Sequence, residues 1–316
     1  MSRVCLQMLA ICCCTAPAFP VPRITATQAT PESTHAPNPV RITSDELMKV
    51  VRELSSPRYE GRRAGSRGGR AARAYLRGIM TSIGLEPAAA SGYDQTFRLD
   101  KDVEAANLLG RVRGTQNGSR AILVTAHYDH LGIRDGQVFP GADDNASGVA
   151  ALVAVARYVK AHPLRHEAIF VAFDAEELDL KGAQAFAARP PVPLARIAID
   201  VNLDMVSRSD RHEIFAAGTS YSPWLGPILA EVQRRTSVKI LLGHDRPTGP
   251  GNPLDDWTTE SDHGILHKAG VPFLYFGVED HPDYHRATDT AARIDPTFYR
   301  DVVGMVLDTI LALDRR

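Results

Sequence analysis

Short apolar runs recur along this chain, and several end abruptly in polar or acidic residues. Ala121 to Ala126 stops at His127-Tyr128-Asp129, and Ala168 to Phe173 stops at Asp174-Ala175-Glu176-Glu177. Ile197 to Leu203 stops at Asp204-Met205. Their lengths and β-branched content predict strands, and the full set of strand candidates is 107–113, 121–126, 167–173, 197–203, 213–216, 238–242 and 272–276. Between them the apolar period lengthens, as in Val149, Leu152, Val153 and Ala156, and predicts helices near 147–161, 178–188, 223–236, 260–269 and 296–313. Earlier, Thr43-Ser44-Asp45-Glu46 reads as a capping box before a stripe of Leu47, Val50, Val51 and Leu54. A helix over 68–82 ends at Gly84. Strands alternating with helices predict an α/β fold: a three-layer α/β/α sandwich around a central mixed, mostly parallel sheet.

Composition adds limits. The 316 residues are 44% hydrophobic and 23% charged with a formal net charge of −1, an ordinary globular balance. Nothing here argues for a general nucleic-acid or membrane-surface binder. Arginines 58, 62, 63, 67, 70, 73 and 77 crowd one stretch, but little aromatic sequence interleaves them, and they read as a solvated helical face. Beyond the N-terminus no apolar stretch reaches the roughly 18 residues of a membrane span.

Residues 1–18 have the pattern of a signal peptide: Arg3, a mostly apolar 4–14, and Ala16-Pro17-Ala18 as an A-x-A cleavage site. Export, to the periplasm or fully secreted, is the expectation. All four cysteines lie at positions 5, 12, 13 and 14, so a processed chain would have neither disulfides nor thiolate ligands. Residues 19–42, rich in Pro, Thr and Ala, read as a linker or pro-segment, leaving 43–316 as a single catalytic domain.

The strand ends hold the candidate chemistry. In a mostly parallel sheet they lie along one edge, where α/β folds bind ligands. His127, Asp144 (within Gly141-Ala142-Asp143-Asp144-Asn145-Ala146-Ser147-Gly148), Glu176, Glu177, Asp204 and His285 would converge there. Asp and Asn are ordinary helix caps, so the 141–148 turn alone would not define a site; several such strand ends together do.

These motifs, His127-x-Asp129, Asp144-Asn145, Glu176-Glu177, Asn202-Leu203-Asp204-Met205 and Tyr284-His285-x-x-x-Asp289-Thr290, resemble the bacterial leucyl-aminopeptidase type of zinc exopeptidase. The match runs in order from about residue 45 to the C-terminus, including Glu60-Gly61-Arg62 and Gly84-Leu85. The resemblance implies a zinc-peptidase (phosphorylase/hydrolase-like) fold with two Zn2+ ions per chain. Asp144 would bridge them, Glu177 and His285 would complete one ion, and His127 and Asp204 the other. Each ion would keep an open position, the catalytic pattern. It also implies a cis peptide at Asp144-Asn145 and a carbonyl-stabilising role for Tyr284.

The roles agree with the chemistry of peptide hydrolysis. Glu176, beside a ligand yet not needed as one, suits the general base. Asp129, two residues past His127, suits a carboxylate on that ring's other nitrogen. Asp262, in Ser261-Asp262-His263, matches a further motif of supporting residues. His130, His212, His263 and His281 are candidates to line the site, whereas His244 and His267 lack a partner pattern.

Two departures, Leu178-Asp179-Leu180-Lys181-Gly182-Ala183 and Arg286-Ala287, spare every proposed ligand and bear on pocket shape. The expected activity is an aminopeptidase acting on peptides with a free N-terminus. The alternatives are a carboxypeptidase or dipeptidase on the same site, a glutaminyl-cyclase-like acyl transferase using one zinc, and a non-catalytic module, which should have lost ligands.

Overall fold

Apolar residues on both sides of the central strands force helices onto both sheet faces. A computed structural model of the chain describes residues 42–249, 251–252 and 254–316. The expected signal peptide and nearly all of the 19–42 segment lie outside the described residues. Val40–Arg316 forms one compact unit.

Two helices, α1 (Ser44–Leu54) and α2 (Arg67–Ile83), come first. Thr43 caps α1, its hydroxyl oxygen accepting the N–H of Glu46 at 3.3 Å, and Gly84 ends α2 in the left-handed conformation. Then come β1 (Glu86–Pro87), β2 (Asp94–Asp100), β3 (Val103–Val112) and β4 (Ala121–His127). A small hairpin, β5 (Gly132–Arg134) with β6 (Gln137–Phe139), precedes α3 (Gly148–Ala161). The remainder runs β7 (Glu167–Phe173), α4 (Lys181–Ala188), β8 (Ile197–Leu203), β9 (Glu213–Ala217) and α5 (Leu225–Gln233). It closes with β10 (Lys239–Leu242), α6 (His263–Lys268), β11 (Phe273–Gly277) and α7 (Pro296–Asp314).

The main sheet has nine strands in the order β1-β3-β7-β4-β8-β11-β9-β10, with β2 beside β1 on the same edge of β3. Strands β7, β4, β8 and β11 are mutually parallel, while β3 and the β9–β10 pair run against them. The expected α/β/α sandwich with a mixed sheet is what the chain forms. Alternate residues split between two cores: Ile122, Val124 and Ala126 of β4 pack with α1, α2, α3, α5 and α7. Leu123 on the opposite face packs with Phe186 of α4 and Leu266 of α6. Burial on both faces is why these strands read as continuous apolar runs.

Register sets the functional edge. His127 pairs with Phe173, Thr125 with Asn202, and Leu203 with Phe276. The residues that follow Phe173, Leu203 and Phe276 therefore emerge beside His127.

Candidate metal centre

Each acidic turn at this edge is shaped by unusual backbone. Ala175 (φ 58°), Met205 (φ 56°) and His285 (φ 53°) occupy the left-handed region, the first two directly flanking Glu176 and Asp204. Non-glycine residues adopt it only when their surroundings impose it, and such residues gather at functional sites. The positive φ at Asp179 and Leu180 also delays α4 to Lys181, so the expected helix start at 178 is corrected. The Asp144-Asn145 peptide is cis.

Asp144 lies at the centre. Its Oδ1 is 3.5 Å from His127 Nε2, which is itself 3.2 Å from Asp204 Oδ1. Its Oδ2 is 3.0 Å from His285 Nε2, which lies 3.6 Å from Glu177 Oε2. Donors bonded to one tetrahedral zinc at about 2.05 Å sit roughly 3.3 Å apart. The donor set, neutral imidazoles and carboxylates without sulfur, also suits zinc. Two triads, His127/Asp144/Asp204 and His130/Asp144/Glu177, have ligand atoms that all lie within 4.8 Å of one another. Asp144 Oδ2, Glu177 Oε1 and both ring nitrogens of His130 are buried without hydrogen-bond partners. Buried polar groups rarely remain so; cations between these donors would satisfy them.

The loops are locked by hydrogen bonds. Asn145 donates to Leu203 O at 2.9 Å, and its Oδ1 accepts the N–H groups of Gly148 at 2.8 Å and Met205 at 3.3 Å. This ties the turn of Asp144 to the turn of Asp204. Asp143 Oδ1 accepts from Ser207 N and Oγ at 2.9 and 2.6 Å, and its Oδ2 meets His281 Nε2 at 3.1 Å.

Arg62 corrects the expectation that its arginine-rich stretch is solvated. It is fully buried and donates to the carbonyls of Tyr128 (2.9 Å), Leu54 (2.8 Å), Pro140 (2.6 Å) and Gly141 (2.8 Å). Burial lowers its pKa to about 10, opposed by the negative charge of Asp144. Arg77, also in that stretch, forms a bidentate pair with Asp94 at 2.6 and 2.7 Å.

Asp129 meets the His127 ring nitrogen Nδ1 through both its backbone carbonyl and its carboxylate. His127 Nδ1 meets the backbone carbonyl of Asp129 at 3.3 Å, while the nearer carboxylate oxygen is 3.8 Å away. That oxygen, Oδ1, accepts the N–H of Glu176 at 3.0 Å. Asp262 is fully buried with both carboxylate oxygens unpartnered, and burial pushes its pKa well up.

Burial likewise pushes Glu176 up, with His127 opposing; cations close by would pull it back down. Tyr284 stacks on His285 at 3.9 Å, and burial together with Asp144 raises its hydroxyl, keeping it protonated.

A cleft of about 650 Å³ opens over His127, Asp144, Glu176, Glu177, Asp204, Tyr284 and His285. Its lining also carries Asp255, Asp256, Glu260 and Asp280 with Trp257 and Tyr275, and no Lys or Arg lines it among the described residues. Of the other histidines, His263 is buried against Trp257 O at 3.0 Å and His212 packs on Phe298. His244, expected to lack a partner, stacks on Trp257 at 3.4 Å and meets Glu279 at 3.0 Å. Sequence reasoning gave Arg62, Asp143 and Asn145 no role of their own, although Arg62 and Asn145 stood within the motifs that carry the resemblance.

The chain belongs to Peptidase family M28, whose family profile matches residues 107–310. Among its relatives, Aminopeptidase YwaD of Bacillus subtilis (strain 168) is 31% identical over 185 residues, 55% of this chain and 36% of that protein. The chain thus matches little more than a third of that relative's length. BSAP, a zinc aminopeptidase from Bacillus subtilis, superposes with a TM-score of 0.68 at 16% identity, over 86% of this chain and 96% of that one. Glutaminyl cyclase of Porphyromonas gingivalis does so equally, with a TM-score of 0.68 at 20% identity over 85% and 97%. At such identities the shared feature is the fold, which does not choose between them.

Proposed function

We propose that this chain is an exported aminopeptidase that binds two zinc ions and cleaves N-terminal peptide bonds with Glu176 as general base. The observation that carries the reading is the split of Asp144: one oxygen faces His127 and the other faces His285. Asp144 would be the shared ligand, with His127 and Asp204 holding one ion and Glu177 and His285 the other. When bound, zinc supplies a water acidified towards a pKa of about 7 and polarises the scissile carbonyl.

The chain's own residues do the rest. Glu176 accepts the proton of the attacking water and returns it to the leaving amine. Asp129 holds the backbone of Glu176 in place. The Tyr284 hydroxyl, protonated and in the cleft, donates to the carbonyl oxygen as negative charge develops there. The further acids that line the cleft suit a substrate ammonium group, which favours peptides with a free N-terminus. Residues 43–316 would hold this machinery as a single domain, with 1–18 removed on export. Among the described residues, no helix is long and apolar enough to cross a membrane.

The test is hydrolysis of aminoacyl anilides, free against N-acetylated, each with zinc and after chelation. Zinc-dependent cleavage of the free-amine substrates alone is the expected result. Failure on both forms with zinc bound would overturn the aminopeptidase reading and turn attention to a carboxypeptidase, dipeptidase or acyl transferase.

A further inference from the structure

We infer that His130 is an additional protein ligand, its Nδ1 joining Asp144, Glu177 and His285 around one ion, so that the two metal positions are unequal. This rests on the two-ion reading above. His130 Nδ1 lies 2.8 Å from Glu177 Oε1 and 3.6 Å from Asp144 Oδ2. The first distance is short enough for a hydrogen bond, yet none joins the two atoms. The donor atoms of His130, Asp144 and Glu177 all lie within 4.8 Å of one another, close enough to share one ion.

The ring is also seated for this task. It is 1% exposed, and a side chain at Gly141 would meet its Cδ2 at 2.5 Å, so only glycine leaves room for it. Gly141 has φ 55°, a conformation glycine adopts without strain. The His130 N–H reaches Arg62 O at 3.4 Å, and Arg62 in turn binds the carbonyls on both sides, at Tyr128 and Gly141. Ring, glycine and guanidinium form one unit beneath Asp144.

Four protein donors enclose a tetrahedral ion, whereas three leave a position free. An ion at His127, Asp144 and Asp204 would keep that free position, whereas one at Asp144, Glu177 and His285 would be held more fully by protein side chains once His130 joined it.

The experiment compares wild type with His130→Gln and His130→Leu, loaded stepwise with Co2+ and followed by visible absorption, equilibrium dialysis and metal analysis. Wild type should bind two equivalents. Both variants should retain one ion at wild-type affinity and weaken the other about 10²-fold or more, with the absorption of that ion altered. Two ions at wild-type affinity with an unchanged spectrum in His130→Leu would overturn the inference and leave the two-ion reading standing. A wild type that binds only one ion would sink that reading first. Thermal melting of the metal-free proteins checks that the variants fold. Should they not, X-ray absorption of zinc-loaded wild type decides, with three imidazoles per two zinc ions expected and two overturning the inference.

Discussion

Asp289 Oδ2 accepts the backbone N–H of Asp144 at 3.1 Å, joining the two ends of the site across 145 residues of chain. The same carboxylate accepts the N–H of Asp143 at 3.0 Å. The central acid of the metal centre is therefore positioned from its backbone by a residue four beyond His285. Asp289→Ala leaves two buried amides unpaired, each worth about 1–3 kcal/mol. The variant should lose a comparable amount of unfolding free energy in urea and bind metal more weakly, whereas Asp289→Asn, which keeps an acceptor, should lose less. Undiminished stability in the alanine variant would show that the amides find other partners.

Glu176 and Asp144 should separate catalysis from metal binding. Glu176→Gln should retain wild-type metal content and lose about 10²–10⁴-fold in kcat, the range of general acid–base catalysis. Asp144→Asn should instead bind less metal. Near-normal turnover by Glu176→Gln would remove it from the role of base.

Arg62 should be intolerant even of lysine. Its fork satisfies four carbonyls from three chain segments, and a lysine ammonium has only three donors on a flexible stem. Arg62→Met should destabilise the fold, since each buried carbonyl left unpaired costs about 1–3 kcal/mol, and Arg62→Lys should recover only part. Calorimetry of the metal-free proteins would read both, and a lysine variant as stable as wild type would contradict the clamp.

Asp200 should make stability fall as pH rises. Burial raises its pKa from 3.8 to about 7, with the Thr125 hydroxyl at 2.8 Å partly opposing. Because the folded form holds its proton more tightly, its contribution is fully present below pH 3.8 and is lost as pH rises through 7. Asp200→Asn should gain on wild type by something on the order of 3 kcal/mol between pH 4 and 7. Urea titrations of the metal-free proteins across that range give the answer, and a pH-independent difference would refute it.

Much of this architecture was legible because local pattern and final environment agree. Strands such as Ala121–His127 and Glu167–Phe173 are buried and largely apolar on both faces, and Thr43 caps α1 where the sequence shows a capping box. Where pattern and environment diverge, the reading thinned. Strands β1 and β2 lie at the sheet edge with exposed positions, and β5–β6 is a three-residue pairing too short to show a period. Arg62 sits within a run of arginines, and only its place in Glu60-Gly61-Arg62 sets it apart there.

The order of strands and helices, the acids and histidines at the strand ends and the family they resemble were all written in the sequence. These depend on residue type and spacing, which a chain carries before it folds. The tertiary structure decided which oxygen of Asp144 faces which histidine, that the Asp129 carboxylate also accepts the N–H of Glu176, and that His130 lies against Glu177 and Asp144. Those outcomes turn on direction at the scale of a single bond, and only long-range partners, Arg62, Asn145 and Asp289, set it.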